Sequence, residues 1–216
     1  MFKFTITIAL FIFFINIYAG QTQKIYVGNF SKGSLKGWYS KVFDRKTSYK
    51  ITEMDNKKVL EADSKNGASG LIKDTSVNIC QFKYLNWSWM ITKKLRDFKE
   101  EKKLNDDFAA RIYVVIANRW FFWKTISICY VWSSRSTDDK SWKNPYEPKN
   151  VQMISLRSSK DEISKWYIEK RNVYKDFKKY FNIDCKNINA IGIMTDTDNT
   201  QTKEISYYGD IYFTNN

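Results

Sequence analysis

Hydrophobic positions recur every second residue over most of this chain. In LNWSWMI, Leu85, Trp87, Trp89 and Ile91 fall on one face and Asn86, Ser88 and Met90 on the other. In TISICYVWSS, Ile126, Ile128, Tyr130 and Trp132 alternate against Ser127, Cys129 and Val131. FAARIYVVIA is nearly all strand-former, and period two puts Arg111 on the face of Ala109, Tyr113 and Val115. EISYYGDIYF reads as one strand, with Ile205, Tyr207, Ile211 and Phe213 opposite Tyr208, Asp210 and Tyr212. Shorter candidates are KIYVGNF, SYKITEM, KVLEAD, SGLIKD, VQMISL, KWYIEKR and INAIGIM.

Polar or Gly, Asn and Asp turns such as DNKK, KNGAS and STDDKSWKNPYEPKN separate about ten to twelve such strands. That spacing predicts an all-β protein, an antiparallel β-sandwich or jelly roll rather than a βαβ fold. Helical pattern is weak: YKDFKKYF (174–181) reads as one or two turns, with Phe177, Tyr180 and Phe181 on one face. The charged insertion 92–107 reads as a loop with a short helix.

The N-terminus departs from this pattern. One cation, Lys3, precedes an apolar run from Phe4 to Ile17, which ends in Ala19 and Gly20. This is the order of a secretory signal peptide, with cleavage expected after Ala19 and an uncleaved anchor as the alternative. The run is shorter than the roughly 20 residues of a comfortable membrane span. Residues 20–216 then form a single β-sandwich domain, with nothing apolar enough to cross a bilayer after signal cleavage.

Charge changes the picture less than it first promises. The sequence carries 36 basic and 23 acidic residues, a net of +13. In the cytosol that balance would suggest nucleic acid. An exported chain meets anionic envelope surfaces or glycans instead, and the expected partners are of that kind rather than nucleic acid. The charges are scattered rather than gathered in one block, which favours a solvated basic surface over a dedicated anionic partner.

Candidate chemistry is bounded by what is missing. No histidine occurs, which removes Ser-His-Asp and Cys-His nucleophile systems and the usual histidine zinc sites. Three cysteines, Cys80, Cys129 and Cys185, allow one disulfide at most, and Cys129 reads as a buried thiol. Any chemistry must run on carboxylates, Lys, Tyr or a hard metal.

The densest acidic motif is IMTDTDNTQT, where Asp196 and Asp198 lie two apart. An EF-hand beginning at Asp196 would need Gly and Glu where Gln201 and Tyr207 stand, so that reading fails. On a strand the two carboxylates share one side, about 7 Å apart. A calcium ion held by Asp196, Asp198 and Asn199 is one explanation; pairing with an arginine is another. Asp106 and Asp107 precede the strand that carries Arg111, whose guanidinium needs a carboxylate on an apolar strand. Arg171, Asn172 and Asp176 form a second charged turn. Separately, NRWFFWK places Trp120, Phe121 and Trp123 in a hairpin loop, as candidates for stacking on sugar rings or dipping into a membrane interface; a loop tucked back onto the sandwich explains them equally.

The motifs ASGLIKD, LNWSWMI, DDFAARIYVV, YVWSS, WYIEKRNVYKDFKKYF and IGIMTDTDNT…YYGDIYF, in this order, resemble the bacterial domain-of-unknown-function family 3047 from about Val27 to Phe213. The resemblance implies an exported protein, periplasmic or extracellular, with a jelly-roll sandwich akin to galactose-binding and carbohydrate-binding modules. It implies no activity. The family's charged motif positions correspond here to Asp106, Asp107, Arg111, Arg171, Asn172, Asp176, Asp196, Asp198 and Asn199.

Three functions follow as expectations. The first is a non-catalytic binding module for a glycan or cell-envelope component, with no catalytic residue and a mainly structural acidic cluster. The second is a polysaccharide hydrolase with Asp106 or Asp107 facing Asp196 or Asp198 across about 5 to 10 Å of open cleft. The third is an envelope assembly partner, which would expose a broad apolar patch.

Overall fold

The computed structural model describes residues 22–96, 99–118, 124–135 and 141–216. The N-terminal segment 1–19 and the stacking candidates Trp120, Phe121 and Trp123 lie outside the described residues. Two sheets pack face to face. The first runs β1 (Lys24–Gly28), β14 (Ile211–Thr214), β6 (Tyr84–Ile91), β13 (Lys203–Tyr208), β4 (Lys57–Lys65) and β3 (Ser48–Met54). On its other side β6 pairs with β11 (Tyr167–Asn172), so β6 is central and β11 is an edge.

The second sheet has the order β2 (Trp38–Val42), β5 (Ser69–Asn78), β12 (Asn187–Met194), β7 (Arg111–Ile116), β8 (Ile126–Trp132), β10 (Val151–Arg157) and β9 (Ser141–Lys143). Its neighbours are antiparallel except β8 and β10, which run parallel. The protein is thus a mostly antiparallel β-sandwich. Among the described residues no helix is long and apolar enough to cross a membrane.

Alternation positions the core as expected in β6 and β8. Leu85, Trp87, Trp89 and Ile91 meet Ile128, Tyr130 and Trp132 between the sheets, and all are buried. Trp87 packs edge-on against Trp89 at 5.4 Å and against Tyr130 at 5.4 Å. Cys129 and Val131 point the other way, into a second cluster with Phe108 and Met153 on the outer face of the second sheet. Cys129 is a free, buried thiol, and Cys80 is joined to Cys185 across a separation of 105 residues.

Three expectations change. EISYYGDIYF is two strands, because Gly209 and Asp210 break it between β13 and β14. The break shifts the period by one, so Tyr208 joins Ile211 and Phe213 in the core while Tyr207 turns outward. Gly209 permits the break: its N–H donates to Ser88 O at 2.9 Å, and a Cβ there would lie 2.2 Å from Ser88 Oγ. Second, Ala109 precedes β7 and packs in the main core, whereas Arg111 faces the outer cluster. Third, the turn STDDKSWKNPYEPKN contains β9, whose Trp142 stacks on Phe108 at 6.2 Å.

The one described α-helix, α1 (Val173–Phe181), has readable ends. Asn172 accepts from Lys175 N at 3.0 Å as its N-cap, Asp176 sits in the first turn and Lys178 and Lys179 in the last. Asn182 closes it at φ 53°. Val173 and Phe177 are its buried face. The insertion 92–107 carries a single 3-10 turn, Lys103–Asn105, among its described residues.

Candidate functional site

The acidic motif that follows β12 is an inward-facing loop. Thr195 and Thr197 are fully buried. Thr195 O accepts from Thr47 Oγ1 at 3.0 Å, and Thr197 Oγ1 meets Ser64 Oγ at 3.0 Å. These bonds fix the direction of the side chains between them. Asp196, 2% exposed, projects onto the outer face of the second sheet, where its Oδ2 meets Arg111 Nη2 and its Oδ1 accepts from Phe108 N at 3.2 Å.

Arg111 is itself 3% exposed and is held from several directions. Its guanidinium lies 5.2 Å from the Phe108 ring centre and 5.5 Å from that of Tyr113. Nη1 reaches Asp106 Oδ2 at 3.5 Å. Asp106 also accepts from Asn144 Nδ2 at 3.4 Å. Burial pushes both Asp196 and Asp106 above the usual carboxylate range, and the Arg111 charge pulls them back. Loss of that charge would leave two buried acids without their cation.

Asp107 is held differently. It is fully buried, and its oxygens accept from the backbone N–H groups of Asn199 at 3.3 Å and Thr200 at 2.6 Å. Asp198 is the exception in the cluster. Its Oδ2 takes only a long bond from Asn199 Nδ2 at 3.5 Å, and its Oδ1 is shielded from water with no hydrogen-bond partner. Burial and the neighbouring Asp107 carboxylate raise its pKa. Asp107, Asp196 and Asp198 each offer an oxygen within 4.8 Å of the others, so among the described residues these three could hold a hard cation. Most of their oxygens already accept from arginine or backbone donors.

The other predicted charges gather around α1. Asp176 receives Arg171 Nη2 at 2.9 Å and Tyr130 OH at 2.6 Å. Tyr130 is a core residue beside Trp87, so this bond ties the first turn of the helix to the centre of the sandwich. The sequence therefore brings together Asp106, Asp107, Arg111, Asp196, Asp198 and Asn199, while Arg171, Asn172 and Asp176 serve the helix.

One open feature went unread in the sequence. A groove of about 610 Å³ crosses the outer face of the first sheet. Its floor is Ser88 of β6 and Gly209, small residues where the β13–β14 break leaves space. Trp166 and Ile168 form one wall, Ile168 lying directly across from Ser88 in the β11–β6 register. The β3–β4 hairpin forms the other, with Asp55 and Asn56 at its turn at φ 50° and 59°. The signal was the spacing in KWYIEKR, where Trp166 and Ile168 share the face opposite buried Glu169.

Comparison with solved structures finds sandwiches of similar shape. A carbohydrate-binding module of the β-sandwich superfamily is 12% identical, with 86% of this chain and 60% of that chain covered, at a TM-score of 0.49. This chain thus spans about 60% of that structure's length. The xylan-binding domain CBM22-2 of Xyn10C from Paenibacillus barcinonensis is 8% identical over 90% and 99% of the two chains, at 0.41. A cellulase derived from Cel12A of Rhodothermus marinus is 10% identical over 90% and 100%, at 0.48. Such likenesses concern overall shape only. Among curated proteins there is no match. The chain belongs to the family described as protein of unknown function (DUF3047), whose model matches residues 36–212.

Proposed function

We propose that this member of the DUF3047 family is an exported, non-catalytic module that binds a glycan or another component of the cell envelope. The observation that carries the reading is the direction of its acids. Asp106, Asp107 and Asp196 are buried, and each spends its oxygens on Arg111, Asn144 or backbone N–H groups. Carboxylates that cleave a glycosidic bond must flank an open cleft with room for the sugar and for water. Here the cluster braces the loop after β12 against the outer face of the second sheet instead. The charge set Asp106, Asp107, Arg111, Asp196, Asp198 and Asn199 is therefore structural, and Arg171, Asn172 and Asp176 anchor α1.

Location fits the same reading. The Cys80–Cys185 bond is compatible with an oxidising compartment, and residues 1–19 have the pattern of a cleaved leader. A screen of the exported chain against a glycan array and against envelope fractions tests the function. Retention of a glycan or an envelope fraction by wild type, and equally by a folded Asp196→Ala variant, is expected. A folded protein that retains nothing from either set would refute the proposal.

A further inference from the structure

The groove over Ser88 and Gly209 has the chemistry of a saccharide site, and its volume falls within the roughly 300–1,000 Å³ of ligand pockets. A sugar ring presents two surfaces, an apolar face of C–H bonds and a rim of hydroxyls. Trp166, partly exposed, and Ile168, 80% exposed, offer the apolar wall. An exposed isoleucine beside a tryptophan on an edge strand is a cost for solubility unless something covers it. Glu53 and Asn56 supply acceptors on the opposite wall, and Asp210 supplies another beside Gly209. Asp210 is fixed in place, because its Oδ1 accepts from Ser31 N at 2.8 Å and its Oδ2 from Ser31 Oγ at 2.6 Å. Carboxylates so held retain lone pairs for hydroxyl donors.

Charge selects among saccharides. The chain as a whole carries +13, yet Glu53, Asp55 and Asp210 all line this groove. Lys57 and Lys58 stand on the hairpin side, with the Lys58 ammonium turned toward the backbone at Gly33. An anionic polysaccharide attracted by the basic surface would meet three carboxylates against two ammonium groups here, a lining that is negative on balance. Resting on the binding-module reading above, we infer that this groove binds a neutral oligosaccharide, with Trp166 as the stacking platform, Ile168 beside it and Asp210 as a positioned acceptor for sugar hydroxyls.

Calorimetric titration with neutral hexasaccharides of glucose, xylose, mannose and N-acetylglucosamine, and with an anionic hexagalacturonate, tests this. Wild type is expected to bind a neutral probe. Trp166→Ala should weaken that binding at least tenfold, as truncation of a tryptophan anchor at a binding surface does. Ile168→Asp, at a position too exposed to threaten folding, should weaken it as well. Tyr39→Ala, beside a separate groove at the β2 edge, should leave it unchanged. Equal binding by wild type, W166A and I168D would overturn the groove and leave the function standing. Binding of hexagalacturonate alone would overturn the neutral ligand and spare the function. Failure of every probe would overturn the inference, and the array and envelope screen would then judge the function by itself.

Discussion

Replacing Arg111 with methionine tests the bracing role of the acids most sharply. Methionine matches the stem of arginine only as far as Nε, so the guanidinium and the space it fills are both given up. Arg111 and Asp196 are 3% and 2% exposed, so the carboxylate left behind has no access to water. Removing one partner of such a buried pair costs about 3 to 5 kcal/mol. The cost has a ceiling, since burial already lifts the Asp196 pKa and the orphaned acid can take up a proton. For a domain of this size each kcal/mol lowers Tm by about 2 to 4 °C, which places the loss at roughly 6 to 20 °C. Urea unfolding at pH 7 gives the free energy, with an unchanged m-value as the check that only stability moved. The double variant Arg111→Met with Asp196→Leu should regain part of the loss, because it removes the nearer of the two acids while Asp106 stays buried without its cation. R111M within about 1 kcal/mol of wild type would refute the reasoning, since another cation or water would then be holding Asp196.

Glu204 gives a pH signature. It is 1% exposed with Oε2 unpartnered, and burial raises its pKa from 4.5 to about 7. An acid with a raised folded pKa binds its proton more tightly when folded. Its contribution is whole below 4.5 and is lost as pH rises to 7, about 3 kcal/mol in all. Glu204→Gln should flatten that part of the stability profile between pH 4.5 and 7 and raise Tm above pH 7; an unchanged slope would count against it. Asp198→Asn in EDTA should be at least as stable as wild type, because an amide donates to Asp107 where a carboxylate repels it; a lower Tm by calorimetry would argue otherwise. Removing the disulfide with Cys185→Ser opens a loop of 105 residues and should cost about 4 to 5 kcal/mol in chemical denaturation. A loss under 1 kcal/mol would mean that the denatured chain is barely constrained by that link.

How much of this was legible in the sequence follows from what each pattern encodes. Period two in β6 and β8 reports burial of one face, and Trp87, Trp89, Tyr130 and Trp132 lie where it put them. Arg111 beside an acidic loop was also readable, because a cation on an apolar strand needs a counter-charge. The phase change at Gly209 was not, since it depends on the close approach of Ser88 from a strand more than a hundred residues away. The three short residues SWK of β9 carry too little alternation to stand out in a polar stretch. The groove escaped for a related reason. It is built by absence, from Ser88 and Gly209 on three separate lengths of chain with Trp166, and no local pattern marks an empty space.

A non-catalytic module holds its ligand without changing it. Mass spectrometry of an oligosaccharide that binds, recovered after prolonged incubation with wild type, addresses this directly. Recovery of the intact oligosaccharide is expected. Shorter fragments that form with wild type and vanish with Asp198→Asn would contradict it, and would return the acids after β12 to catalysis.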